Sequence, residues 1–340
     1  MERLTDRLVE YLETAQGRDV HLRDIRAFLK IEPGSKDDAN LRVQMSNTMV
    51  SKKVVKPSGR NDGVYKVLTP IKAITTMDDI GEEPIPFCFP RNYGEDESSF
   101  GIEDLVEVFA GDMVLITGRS NYGKTAMALN LMGENLHLFP LPPVLMGSEY
   151  TASDGKMSPK FKRRIKRMAW ANLVNLDGTL NFKLLPIGSD YEDYVEPNCI
   201  NVVDWISLPG EYYLIDRVMK AMKDRIGDGV LVGVIQKNKD AEFGEGGERT
   251  QRYADVELRI DAFGEHESLL TIGKVKAPKK RATGRTWVFE VVDFGANFSR
   301  IREVTKCRVC WGKGYVKSGT NHTRCSACKG LKFVDKLGFE

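Results

Sequence analysis

The stretch GDMVLITGRSNYGKTAMALNLMGEN, residues 111–135, constrains the chain more than any other. An apolar run (MVLIT) leads into G-x-x-x-x-G-K-T, and an Ala/Leu/Met-rich segment follows, so the order strand, glycine loop, helix is written into the pattern. Gly118 and Gly123 allow the backbone of Gly118-Arg119-Ser120-Asn121-Tyr122-Gly123-Lys124-Thr125 to curl with its N–H groups turned inward. The helix that begins there, with Ala126 in its first turn, adds partial positive charge. Such a loop cradles nucleotide phosphates: Lys124 is placed to reach the β- and γ-phosphates, and Thr125 to offer its hydroxyl to Mg²⁺. ATP and Mg²⁺ are therefore the expected ligands.

The rest of the chain divides around this core. At 340 residues it suits two or three folded units, and 41% hydrophobic with 29% charged residues is a globular composition. Residues 1 to about 70 read as a winged-helix domain. Leu4, Leu8 and Leu12 mark one helix, Leu22, Ile25, Phe28 and Leu29 a second, and Asp38 to Ser51 a third, opened by Ser35 or Asp37. KKVVKP and VYKVL around the turn SGRNDG then form a hairpin. Lys52, Lys53, Lys56 and Arg60 would face phosphates on DNA, although a wing used for protein contacts stays open. Residues 71–100, with Pro84, Pro86, Pro90 and the acidic GEDESS, read as a linker. Residues 101–303 alternate strands (MVLIT, PVLMG, FKLLPI, CINVVDWI, GVLVGVI, VELRI, SLLTIGKV, TWVFEVVD) with helical stretches. This predicts an α/β domain with a mostly parallel sheet and an antiparallel extension. Residues 304–340 form a cysteine-bearing unit.

Carboxylates placed just after apolar strands refine the nucleotide site, because strand C-termini in a parallel sheet border the ligand crevice. Asp204 after CINVV is the candidate to hold Mg²⁺, and Glu149 after PVLMG the candidate base or water-orienting group. Gln236 ends GVLVGVIQ at the same edge, where its amide can sense the γ-phosphate.

Taken in order, GDMVLITGRSNYGKTAMALNL, MGSEY, VVDWI, VIQKNKD and GGERTQRYADVELRI resemble the consecutive motifs of DnaB-type replicative helicases, members of the RecA-like ring ATPases. The resemblance spans roughly residues 101–303. It implies a RecA-like P-loop core, a homo-oligomeric hexameric ring or filament, ATP held between subunits and single-stranded nucleic acid in a central channel. It also implies a basic element reaching the neighbouring subunit's ATP. Its counterpart here is TIGKVKAPKKRATGR, in which Lys274 matches the family lysine and Lys276 stands where an arginine is expected. Lysine lacks the planar fork, so Arg281 or Arg285 is the other candidate finger. The glycine-rich stretch KNKDAEFGEGGERTQRY is the expected channel loop. Its cations Lys237, Lys239, Arg249 and Arg252 are interleaved with Asp240, Glu242, Glu245 and Glu248. Lys160, Lys162, Arg163, Arg164, Lys166 and Arg167 form a denser basic helix, suited to a polyanion or an acidic partner.

Near the end, Cys307-x-x-Cys310 and Cys325-x-x-Cys328 are separated by fourteen residues, a spacing that suits four thiolates around a structural Zn²⁺. The first pair, within C-x-x-C-x-G-x-G, resembles DnaJ zinc repeats. Cys88 and Cys199 stand alone and are expected to be buried.

A formal net charge of +2 excludes a bulk polycation, so nucleic acid must meet local patches. No apolar run approaches the roughly 20 residues that span a bilayer, and MERLTDRLVEYLE lacks a signal-peptide core. The expectation is a cytoplasmic protein, or a viral one acting in a host cytoplasm. It would be an ATPase working as a nucleic-acid motor of the helicase type, with DNA as the expected partner. The alternatives are a DNA-binding regulatory or loader ATPase without unwinding activity, and an interaction scaffold.

Overall fold

The computed structural model describes residues 3–58, 63–70, 83–94, 98–152, 154–238, 241, 243–318 and 321–336. They fall into two compact units, residues 1–79 and 80–340.

The first unit runs α1 (Leu4–Thr14), β1 (Asp19–His21), α2 (Leu22–Leu29), α3 (Lys36–Val43), β2 (Val55–Pro57) and β3 (Val64–Val67), with sheet order β1-β3-β2. Leu8 and Leu12 of α1, Ile25 and Leu29 of α2 and Leu41 of α3 close on one another, each at most 2% exposed. Ser35 caps α3 by accepting from the Asp38 N–H. The third helix then passes into a π-helical stretch, Gln44–Met49, which turns Met45 and Met49 into the core. Lys52, Lys53 and Lys56 follow it and are exposed, whereas Arg60 lies outside the described residues.

The second unit is organised by a ten-stranded sheet of order β15-β12-β11-β10-β9-β4-β8-β7-β5-β6. Its elements are β4 (Met113–Gly118), α4 (Lys124–Glu134), β5 (Val144–Met146), α5 (Pro159–Arg167), β6 (Lys183–Leu185), β7 (Ile200–Val203), α6 (Ile215–Arg225), β8 (Val230–Gln236), β9 (Val256–Phe263), β10 (Glu267–Val275), β11 (Thr286–Val292), β12 (Asn297–Lys306), the hairpin β13 (Tyr315–Ser318) and β14 (Asn321–Arg324), and β15 (Phe333–Asp335). Strands β6, β5, β7, β8, β4 and β9 are parallel. Strands β10, β11, β12 and β15 continue the sheet antiparallel. The expected mostly parallel sheet with an antiparallel extension is thus present.

Side-chain alternation gives the sheet two covered faces. Val114 and Ile116 of β4, with Val230, Val232 and Val234 of β8, pack under α4 and α5. Met113, Leu115, Leu231 and Ile235 pack on the other face with Ile215, Met219 and Met222 of α6. Phe87, Phe89 and Phe100 bury against the first face. Cys199 is buried as expected. Cys88 is not: it points outward between the inward-facing Phe87 and Phe89, while Asn135 bonds its backbone N–H and C=O. Among the described residues no helix is long and apolar enough to cross a membrane.

Candidate nucleotide site and metal centre

All six residues of β4 are buried, and its last, Gly118, lies beside Gln236 at the end of β8, with the Lys237 N–H bonded to the Gly118 carbonyl. A Cβ on Gly118 would stand 2.5 Å from the Ile260 carbonyl oxygen, so β9 leaves no room for a side chain. Gly123 has φ +95°, and a Cβ there would stand 2.7 Å from Val291 Cγ2. Both glycines of the motif are therefore demanded by contact, and Gly123 by its left-handed backbone as well. No side chain caps α4, which leaves the N–H groups of its first turn available to an anion. Lys124 is 8% exposed and its Nζ donates to the Arg119 carbonyl at 2.8 Å. Burial depresses the Lys124 pKa, opposed by the charges of Asp204, Glu149 and Glu245.

Asp204 directly follows β7 and is 5% exposed. Burial raises its pKa, against hydrogen bonds from the Tyr150 and Thr125 hydroxyls and the charges of Lys124 and Arg164. Its N–H donates to the Met146 carbonyl at 2.9 Å, which brings the ends of β5 and β7 together. Gly147 makes that approach possible, since a Cβ there would stand 2.3 Å from the Asp204 carbonyl oxygen. The chain then turns through Ser148–Tyr150 and leaves Glu149 exposed at the rim. A cavity of about 440 Å³ joins these parts: Lys124 and Thr125, Glu149 and Tyr150, and Arg164 with Phe294. A buried carboxylate bonded to a P-loop hydroxyl beside an open cavity is a fitting donor set for a divalent cation.

Sequence reasoning placed the basic helix on a surface for polyanions; the structure brings part of it to this cavity. Ser158 caps α5, and Phe161 and Ile165 bury its apolar stripe. Lys160 and Arg164, one turn apart, then line the cavity wall. Arg164 Nε donates to the Phe294 carbonyl at 2.8 Å, and Arg163 and Arg167 lie over the Phe294 ring at 5.2 and 5.9 Å. The i, i+4 spacing of Lys160 and Arg164 beside the buried Phe161 and Ile165 was the available signal.

The late basic residues are held within their own chain. Lys274 Nζ donates to the Gln251 carbonyl at 2.6 Å, and the Gln251 amide reaches the fully buried Glu257, which also accepts from Thr117 below the P-loop. Lys276 pairs with Asp255 at 2.7 Å, and Lys223 takes the other carboxylate oxygen. Arg285 makes a two-bond fork on Glu303 at 2.7 and 2.6 Å. Arg281 is exposed. Lys274 opens instead on a second cavity of about 710 Å³, with Phe243, Arg249 and Arg252. Lys237, read as a channel cation, is 6% exposed and paired with Asp261 at 2.6 Å: its position next to β8 turns it into the fold. Arg252 pairs with Asp216 at 2.7 Å. Lys239, Asp240 and Glu242 lie outside the described residues.

Cys307, Cys310, Cys325 and Cys328 are all buried, with their four sulfurs within 4.8 Å of one another. Cys307 and Cys325 sulfurs are 3.9 Å apart, and Cys310 and Cys328 sulfurs 3.6 Å. Four sulfurs about 2.3 Å from a tetrahedral zinc would stand about 3.8 Å apart, so the donor set fits that ion. The Gly314 N–H donates to Cys310 Sγ at 3.2 Å. Pairing of β15 with β12 fixes the cluster to the sheet.

Strand order and site together define a class: an α/β protein with a RecA-like core, in which β8 stands between the P-loop strand β4 and the Asp204 strand β7. No protein-family model matches the chain, and no curated protein matches it in sequence. Among solved structures it is similar to the RadB recombinase, at 18% identity and a TM-score of 0.41, over 56% of this chain and 91% of that one. It is also similar to a KaiC-like protein from the hyperthermophilic archaeon Pyrococcus horikoshii, at 14% identity and a TM-score of 0.45, over 64% of this chain and 97% of that one.

Proposed function

We propose that the chain is an ATPase that works on nucleic acid as a subunit of a ring or filament, a motor of the DnaB-type helicase kind. The observation that carries this is the meeting of Lys124, Thr125 and Glu149 around one cavity, with the buried Asp204 bonded to Thr125 and Tyr150 behind its wall and Gln236 beside Gly118. Thr125 and Asp204 would hold Mg²⁺, which would supply positive charge against that of the phosphates. Lys124 and the first-turn N–H groups of α4 hold the phosphates in place. Glu149, exposed at the rim, orients the attacking water and accepts its proton. Arg164 supplies a guanidinium from the same chain, on the cavity wall and close enough to act on the charge of Asp204. Gln236 links the γ-phosphate position to the loop that follows β8.

The N-terminal unit fits a winged helix that presents Lys52, Lys53 and Lys56 to duplex phosphates, and the four cysteines fit a structural Zn²⁺. Lys276 and Arg285 are engaged in ion pairs and Lys274 donates to the Gln251 carbonyl, so the exposed Arg281 is the trans-acting candidate this reading favours. That engagement favours a second reading, a loader-type ATPase in which ATP switches assembly and turnover is slow. Strand displacement on a forked DNA with ATP separates the two. Unwinding that disappears in Lys124→Ala supports the motor; ATP hydrolysis without any opened fork supports the switch.

A further inference from the structure

The hairpin β13–β14 stands in solvent on both sides: every described side chain of Tyr315–Lys317 and of β14 is exposed. A two-stranded ribbon without a packed face is marginal by itself, and the four-cysteine cluster at its base anchors it. Register puts Tyr315 opposite Arg324 and Lys317 opposite His322, so these four side chains share one face. The Tyr315 and His322 rings lie 4.6 Å apart on it. Directly before the ribbon, on the first cysteine knuckle, Trp311 adopts φ +54° and is 80% exposed. An indole this exposed contributes nothing to a core. From Lys306 to Phe333 the chain carries seven lysines and arginines and no aspartate or glutamate. That outweighs the residual charge of about −2 of a four-thiolate zinc site.

We infer that this ribbon and knuckle form a binding site for single-stranded nucleic acid, with Trp311 and Tyr315 stacking on unpaired bases while Lys317 and Arg324 neutralise backbone phosphates. The combination decides the partner class. Cations alone suit any polyanion, but exposed π-faces between them suit bases out of a duplex, whose own faces are hidden. An acidic peptide would use the charges and leave Trp311 idle. The inference rests on the nucleic-acid reading above and gives it a site apart from the ATPase loops.

The test uses the full-length, metal-loaded protein without nucleotide. Binding of fluorescent oligothymidylate is followed by anisotropy, and crosslinks of an iodouracil-substituted strand are mapped by mass spectrometry. Crosslinks at Trp311 or Tyr315 are expected, with binding weakened at least about fivefold in Trp311→Ala and largely retained in Trp311→Phe. Lys317→Ala should reduce the slope of log affinity against log salt by about 0.7. Zinc content by atomic absorption reports whether each variant keeps its fold. Crosslinks confined to residues 243–252, with Trp311→Ala binding unchanged, would overturn this site and leave the nucleic-acid reading standing. Absence of any binding to single strands overturns both. Trp311-dependent capture of an acidic peptide in preference to the oligonucleotide overturns the site and assigns the surface to protein.

Discussion

Replacing Arg164 with alanine separates chemistry from scaffolding at the nucleotide cavity. Arg164 does two things at once: its Nε holds the Phe294 carbonyl at 2.8 Å, and its charge lines the cavity wall and acts on the nearby Asp204. The first is one partly exposed charge-assisted hydrogen bond, a net contribution of about 1 kcal/mol. In a unit of this size its loss should lower Tm by about 2–4 °C. On the proposed reaction the second would act where negative charge shifts between phosphate oxygens, and deleting one preorganised donor at such a place lowers kcat by roughly 10²–10³-fold. The expected outcome is therefore a small fall in Tm, nearly unchanged ATP binding and a large fall in kcat, read by steady-state phosphate release. Arg164→Lys should restore part of the rate, since the charge returns without the planar fork. If Arg164→Ala lowers Tm as expected yet keeps kcat within about threefold of the original, the residue is a strut for the Phe294 turn and the reasoning fails.

Other parts of the site respond in distinct ways. Glu149→Gln should bind ATP with unchanged affinity while hydrolysis falls roughly 10²–10⁴-fold; equilibrium dialysis with a turnover assay checks both, and normal turnover would move the water-orienting role elsewhere. Burial raises the Asp204 pKa, so its ionised form costs the nucleotide-free fold stability above the folded pKa and nothing below the ordinary carboxylate value, where both states are protonated. Asp204→Asn should then be more stable than the natural protein near neutrality, on the order of 1 kcal/mol, with the gap closing as pH falls; a constant gap across pH would contradict the cause. Cys325→Ser should reduce bound zinc to below one per chain and unfold the knuckle. It should leave ATP binding intact, as seen by atomic absorption and nucleotide titration.

Much of the core was legible because its signals are local. The P-loop is a contiguous run whose flanks state strand and helix, and the eight apolar runs read from the sequence coincide with β4 to β11. Asp204 and Glu149 were placed by one rule, that strand C-termini line the crevice; Glu149 lines the cavity, and Asp204 lies behind it, bonded to Thr125 and Tyr150. Strand β12 was not legible: Arg300 takes φ +52° where its register with β11 shifts, so Phe298, Ile301 and Val304 lose strict alternation. The meeting of Arg164 with Phe294 depends on residues 130 apart in sequence, which no local pattern reports. The pairing of Lys276 with Asp255 and the burial of Lys237 against Asp261 are likewise tertiary facts, hidden in a stretch that reads only as basic.

The central claim is that the site formed by Lys124, Thr125 and Glu149, with Asp204 bonded to Thr125, hydrolyses ATP in a way governed by nucleic acid. The most direct test is the rate of phosphate release by the full-length protein with and without single-stranded DNA, with Glu149→Gln as the control. The account predicts magnesium-dependent hydrolysis that single strands accelerate and that Glu149→Gln abolishes. Hydrolysis indifferent to single strands, or surviving in Glu149→Gln, would contradict it.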